Sequence, residues 1–229
     1  VLEGRQHVGM TEEMFDVAER LHRLMEANLL EGDPHIFESN TMLGAQLVKH
    51  GHFRQARPHL AAAAKFFGTY EPRDHAMLAR TLNMLAEVER GQGSFKAAET
   101  LLEEAAAVNG DGGSEDKRLG LAIKINMGRL CAARGDYTRA DQYFSEVIQF
   151  ASELSPEARE SLCLALLNKS MLYMTLFRLE EAEQFGKLAM ESFGHYLTPT
   201  DQGLLPFYVA LAGIQILRGD TASLSTSVH

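Results

Sequence analysis

Tryptophan is absent from the chain, cysteine occurs twice and proline only six times. Cys131 and Cys163 fall on neighbouring expected helices, near opposite ends, about 15 Å apart along the axis at 1.5 Å per residue. A disulfide needs its Cα atoms within about 7 Å. Two buried thiols in a reducing, cytoplasmic compartment are therefore expected. No apolar run approaches the roughly 18 residues of a membrane span, and no signal peptide is visible. Membrane insertion is accordingly not expected. Lys and Arg are outnumbered by Asp and Glu, giving a formal charge of −9. That balance argues against a nucleic-acid backbone as partner, which needs clustered cations.

Catalytic signatures are missing as well. The chain has no Gly-x-Ser-x-Gly, no Gly-x-x-x-x-Gly-Lys and no His-Glu-x-x-His. His50, His52 and His59 gather near one turn, but their spacing establishes no ligand geometry. Arg218-Gly219-Asp220 occupies the same turn as Arg134-Gly135-Asp136, so a helix end explains both. Neither an enzyme, a metal nor a cofactor is expected.

Ala, Leu, Glu and Met dominate what is present, side chains that lose little rotamer freedom on a helix. The 229 residues also repeat internally, which has to be read before anything else. GHFRQARPHL, GSFKAAETLL, GDYTRADQYF and FRLEEAEQFG align without gaps, and their Ala56, Ala98, Ala140 and Ala182 stand 42 residues apart. Upstream of each turn a second small residue recurs, at Gly44, Ala86, Gly128 and Ser170. This is the pattern of antiparallel helix pairs. Small residues let the paired helices approach, while Phe53, Leu60, Leu102 and Phe144 fill the gap to the next pair. Gly51, Gly93 and Gly135 suit the left-handed conformation that ends a helix, and Ser94 and Asp136 stand where they can cap the next one. Asp33-Pro34, Glu71-Pro72, Ser155-Pro156 and Thr198-Pro199 read as helix starts. Asn109–Ser114 reads as a flexible loop.

The expected fold is all-α, a right-handed superhelical α-solenoid in a single domain. Residues 10–32 supply the second helix of a preceding repeat. Four full repeats follow over 37–78, 79–120, 121–162 and 163–204, and 205–229 give a partial fifth. The chain opens on Val1 rather than Met, so a longer parent is expected, with further repeats or a cap beyond the unsealed ends.

The small–aromatic–alanine pattern resembles the tetratricopeptide repeat. That repeat usually spans about 34 residues; the longer period is similar to the kinesin light chain type. DHAMLARTLNMLAEV at 74–88 and Ala56-Arg57-Pro58 resemble that family's helix openings. The resemblance implies a peptide-binding concave groove lined by the first helices, partly through asparagines. Asn83, Asn126 and Asn168 match members of the family's asparagine pair, one per repeat, and the first repeat has Thr41-Met42 instead. The groove stripe then comprises Lys49, Arg80, Asn83, Glu87, Arg90, Asn126, Arg129, Asn168 and Met171, beside Thr41, Ala45, Met174 and Thr175. Amides would hydrogen-bond a peptide backbone, and thioethers would accommodate varied side chains. The stripe's charges equally suit a solvated helix face. The expected function is a non-enzymatic scaffold or adaptor for a protein or peptide partner. Alternatives are a regulatory arm controlling an attached effector, or a structural subunit buried in a complex.

Overall fold

The computed structural model describes residues 3–70, 74–110, 114–153, 158–194 and 205–218. Among these the only regular structure is helical: α1 (Glu3–Asn28), α2 (Pro34–Lys49), α3 (Phe53–Thr69), α4 (His75–Gly91), α5 (Phe95–Asn109), α6 (Ser114–Ala133), α7 (Tyr137–Glu153), α8 (Arg159–Thr175), α9 (Leu179–Gly194) and α10 (Leu205–Arg218). The class is all-α, built of antiparallel pairs, as the repeat requires. The chain folds as two compact units, Val1–Leu119 and Gly120–His229. In the first, α2 packs on α3 and α4 on α5, with α1 against α2. In the second, α8 packs on α9 and α10 lies against both.

Each pair is closed by the same turn. His52 N donates to Leu47 O, Ser94 N to Glu89 O, Asp136 N to Cys131 O and Arg178 N to Tyr173 O, at 2.8–2.9 Å. These long-reach bonds satisfy a carbonyl that a helix end would otherwise leave without a partner. They force positive φ on the residue before the donor, and Gly51, Gly93 and Gly135 adopt 75°, 80° and 83°. The fourth turn has no glycine there. Phe177 takes φ 57° while remaining 75% exposed, so strain is not repaid by packing. Left-handed backbone costs an L-residue about 1–2 kcal/mol, part of which glycine returns as unfolded-state entropy. Phe177→Gly is expected to stabilise the second unit by roughly 0.5–1 kcal/mol, read as a raised urea midpoint. An unchanged or lowered midpoint would show that the ring packs after all.

Caps follow the sequence reading in part. Asp33 Oδ1 accepts from His35 N at 3.0 Å, with Pro34 as first helical residue. Asp136 Oδ1 accepts from Arg139 N at 3.1 Å, and Asp74 caps α4 through Met77 N at 2.9 Å. Ser94 does not cap: its side chain makes no bond to the α5 amides. Its position is right, but its backbone, at φ −80° and ψ 58°, departs from the extended geometry that aims a capping hydroxyl. Glu71-Pro72, Ser155-Pro156, Thr198-Pro199, the centre of the Asn109–Ser114 loop and the start of any helix beyond Arg218 lie outside the described residues.

The small positions behave as hard steric constraints. Ala56, Ala98, Ala140 and Ala182 are fully buried. A Cβ on Gly44 would stand 2.5 Å from Leu60 Cγ, and one on Gly128 would stand 2.5 Å from Phe144 Cε1. The fourth repeat reverses the sizes. Gly186 replaces the large residue, and Ser170 donates its Oγ proton to Ala182 O at 2.6 Å. Leu211 of α10 then comes up to Gly186, 3.0 Å from where its Cβ would be. Cys131 and Cys163 are both buried thiols that form no disulfide. Burial pushes the Cys163 thiol up to about 11, which leaves it protonated and unreactive at neutral pH.

Candidate functional site

The stripe expected along the first helices divides between the two units. In the first, α2 and α4 lie side by side, with Thr41 Oγ1 3.1 Å from Thr81 Oγ1. Lys49 is exposed at the end of α2, Arg80 and Arg90 are half-buried, and Asn83 and Glu87 are buried. Glu87 and Arg90 come together as a two-point ion pair, Nη2–Oε1 at 2.7 Å and Nε–Oε2 at 3.0 Å. The carboxylate holds the guanidinium further above its ordinary range, burial opposing it. They therefore present one compensated group rather than two separate charges. The flanking Glu89, also buried, pairs with Arg57 of α3 at 2.7 Å. Sequence spacing had given no sign of that pair, because its partners lie on different helices.

In the second unit, Asn126 Oδ1 accepts from Arg129 Nη1 at 3.2 Å on α6. On α8, Asn168 Nδ2 donates to Leu164 O at 2.7 Å, and Met171 is 49% exposed. Met174 turns inward against Gly213 of α10. Leu121 and Ile125 of α6 share one core cluster with Val147 and Ala151 of α7 and Ala165 of α8, below the stripe. Asn126 and Asn168 thus occupy one register on two successive first helices, at the surface.

Asn83 does not share that register. It aligns with Thr41, Ile125 and Leu167, all buried. Asn126 and Asn168 align instead with Met84 and with Met42, which is 56% exposed. The two members of the asparagine pair therefore stand on an inner and an outer stripe of the helix.

The histidines sort differently from their sequence grouping. His50 and His52 are exposed at the turn. His59 stands edge-on to His22 of α1, ring centroids 5.2 Å apart, and Nδ1 lies 2.8 Å from Asn40 Oδ1 of α2. Burial first, then His22, depress the His59 pKa, opposed by Glu26 and Glu19. These residues line a cleft of about 770 Å³ between α1, α2 and α3. Among the described residues no three His, Cys, Asp or Glu converge as metal ligands, and no helix is long and apolar enough to cross a membrane.

Residues 77–153 match the tetratricopeptide repeat family. The antiparallel helix pairs have the fold of tetratricopeptide-type repeats. The chain's fold is similar to that of BtubC (BKLC) from P. vanneervenii, with a TM-score of 0.66 and 18% identity, over 95% of this chain and 88% of that one. It is also similar to nearly identical TPR-like repeats from Podosopora anserina assigned to a putative kinesin light chain, with a TM-score of 0.61 and 17% identity, over 87% and 94% of the two chains. A point variant of those repeats matches with the same score and identity over 85% and 92%. No curated protein matches the chain. At these identities the likeness describes the fold. Tetratricopeptide repeats are, as a class, protein-interaction modules.

Proposed function

We propose that these repeats form a non-enzymatic scaffold that holds a peptide or helix of a partner protein along their first helices, within a larger assembly. The observation that supports this reading is the repeated placement of Asn126 and Asn168 on the outer register of α6 and α8. Core packing does not demand an amide at either position, and asparagine is a mediocre helix former. An amide there can exchange its local hydrogen bond for one to a peptide backbone. Arg129 and Met171 beside them offer a charge and a soft apolar contact. In the first unit, Lys49 and Arg80 extend the same chemistry, and the Glu87–Arg90 pair adds a neutral, geometrically fixed group. Asn83 serves the interior of α4 and shapes the stripe from beneath.

The test is selection of peptides from a displayed library on the wild-type chain, followed by titration against Asn126→Ala/Asn168→Ala. Binding is expected to weaken at least about tenfold, the equivalent of 1.4 kcal/mol, with helicity by circular dichroism unchanged. Selected peptides that bind the double variant with wild-type affinity would sink the groove reading. A second reading, burial of a surface in a stable complex, is favoured by Val209, Ile216 and Leu217, which leave α10 with an exposed apolar face.

A further inference from the structure

The cleft between α1, α2 and α3 has a chemistry that the repeat fold does not require. Three glutamates stand around it, Glu19, Glu26 and Glu31. The one arginine among its lining residues, Arg23, is already paired with Glu19 at 2.6 Å. Glu26 meets only the edge of His22, Nε2–Oε1 3.4 Å, and among the described residues no ion pair engages Glu31. The cleft is therefore left with uncompensated negative charge.

Its floor carries an amide donor open to the cleft. Asn40 is only 6% exposed. Its Oδ1 is taken by His59 Nδ1, which in this arrangement is the donor. The Asn40 amide nitrogen lines the cleft with no acceptor among the described residues. His22 cannot supply one: Ser39 donates its hydroxyl proton to Ile36 O, so His22 Nδ1 must itself donate to Ser39 Oγ at 2.8 Å. The nitrogen is not among the fully buried unpartnered atoms; solvent in the cleft meets it, and a ligand carbonyl can take that solvent's place.

The repeat register shows how unusual these residues are. Asn40 aligns with Leu82, Lys124 and Leu166, and His59 with Leu101, Tyr143 and Phe185. His22 aligns with Ala64, Ala106, Ile148 and Met190. At most of these positions the other repeats build the same helix packing from apolar or aromatic side chains. The polar set is confined to one place, where its members meet across three helices.

We propose that this cleft receives a basic peptide segment of a partner protein, a peptide carbonyl taking the Asn40 amide proton while a Lys or Arg side chain pairs with Glu26 and Glu31. The cleft volume is of the order that encloses a few side chains. Ile36 and Phe37 supply an apolar wall for the aliphatic stem of such a residue. An acidic segment would meet like charge on both arms of the rim. The site lies in the first unit and involves none of the stripe residues, so it stands or falls separately from the reading above.

The experiment is fluorescence anisotropy of the full chain with two fluorescein-labelled probes, Gly-Lys-Ala-Arg-Ala-Gly and its counterpart with Glu in place of Lys and Arg. The basic probe is expected to bind saturably and the acidic one not. Glu26→Gln/Glu31→Gln should weaken binding about tenfold, in the range for losing a close charge pair. Asn40→Leu, which installs the residue that α4 and α8 already use in this register, should weaken it about fivefold for loss of one hydrogen bond. Glu103→Gln/Glu104→Gln, the same charge change on the exposed face of α5, should leave affinity within about twofold. Equal weakening by the α5 variant would reduce the effect to net charge and overturn the proposal. So would failure of both cleft variants to weaken binding, or a basic probe that binds no better than the acidic one.

Discussion

Phe144→Ala is expected to destabilise the second unit by about 3–5 kcal/mol, the range for emptying a fully buried aromatic site. The ring is buried within α7, in one cluster with Cys131, Ala140 and Leu172, and its edge occupies the space above Gly128 where a Cβ would stand. Neither α6 nor α7 can close that gap, because Ala140 beside it already sets the distance between them. The sharper form of the prediction concerns how the two positions share volume. Repeats one and two solve the same site as Gly44 with Leu60 and as Ala86 with Leu102. Gly128→Ala in the native background should overpack against the rigid ring at a cost of about 1–3 kcal/mol, offset by up to about 1 kcal/mol of helix propensity. In the background Phe144→Leu the same substitution recreates the second repeat's pair and should be neutral or stabilising. Urea midpoints for the four proteins of this cycle give the coupling. If the two single effects add within about 0.3–0.5 kcal/mol, the behaviour of independent sites, the positions do not share their volume.

Those constraints were legible in the sequence because they are steric and local. A left-handed turn residue, an alanine with no room beyond its Cβ and a glycine under a large side chain each leave one unambiguous letter, repeated at a fixed spacing. Phe177 is the instructive exception, since the backbone bond pattern holds φ positive even where the letter is wrong for it. Ser94 had the right letter and failed, because capping depends on a backbone angle that composition does not report. The interaction stripe was less legible. A one-residue difference in register separates Asn83 from Asn126 and Asn168, and on a helix that turns the side chain by about 100°, from the outer stripe to the inner one. Least visible was the His22–Asn40–His59 set, whose members lie on three helices with no common spacing. Its signal was present in another form: at each of those positions the repeat departs from its own predominantly apolar pattern.

Lys169 is a departure of the same kind, and the second large effect is expected there. The position is Leu43, Leu85 and Met127 in the other repeats, yet here it holds a lysine only 8% exposed. Its ammonium lies 3.1 Å from Asp141 Oδ1 and donates to Ser145 Oγ at 2.6 Å. It also stands over the rings of Phe185 and Tyr173, at 5.1 and 5.7 Å. Ser145 uses its own proton on Asp141 O, so the hydroxyl is free to accept. Removing the carboxylate by Asp141→Ala leaves a nearly buried cation with one neutral acceptor and two aromatic faces. Breaking such a pair costs about 3–5 kcal/mol, and because the Asp141 side chain is 35% exposed the loss should fall near the lower end. Lys169→Met restores the third repeat's residue and abandons the pair from the other side. Asp141 Oδ1 is itself buried and loses its cation, so this single variant should also fall below the native chain, although the thioether fills the same space. The double variant Asp141→Ala/Lys169→Met should therefore be at least as stable as the native chain, as replacement of buried ion pairs by apolar residues often is. Thermal and urea unfolding of the three variants decides it. An Asp141→Ala loss under about 1 kcal/mol, the worth of a solvated surface pair, would mean that the lysine swings out to water and that its burial is incidental. A large loss recovered in the double variant would mean that the pair sets which residues α7 and α8 bring together, at no gain in stability over the leucine that two other repeats use.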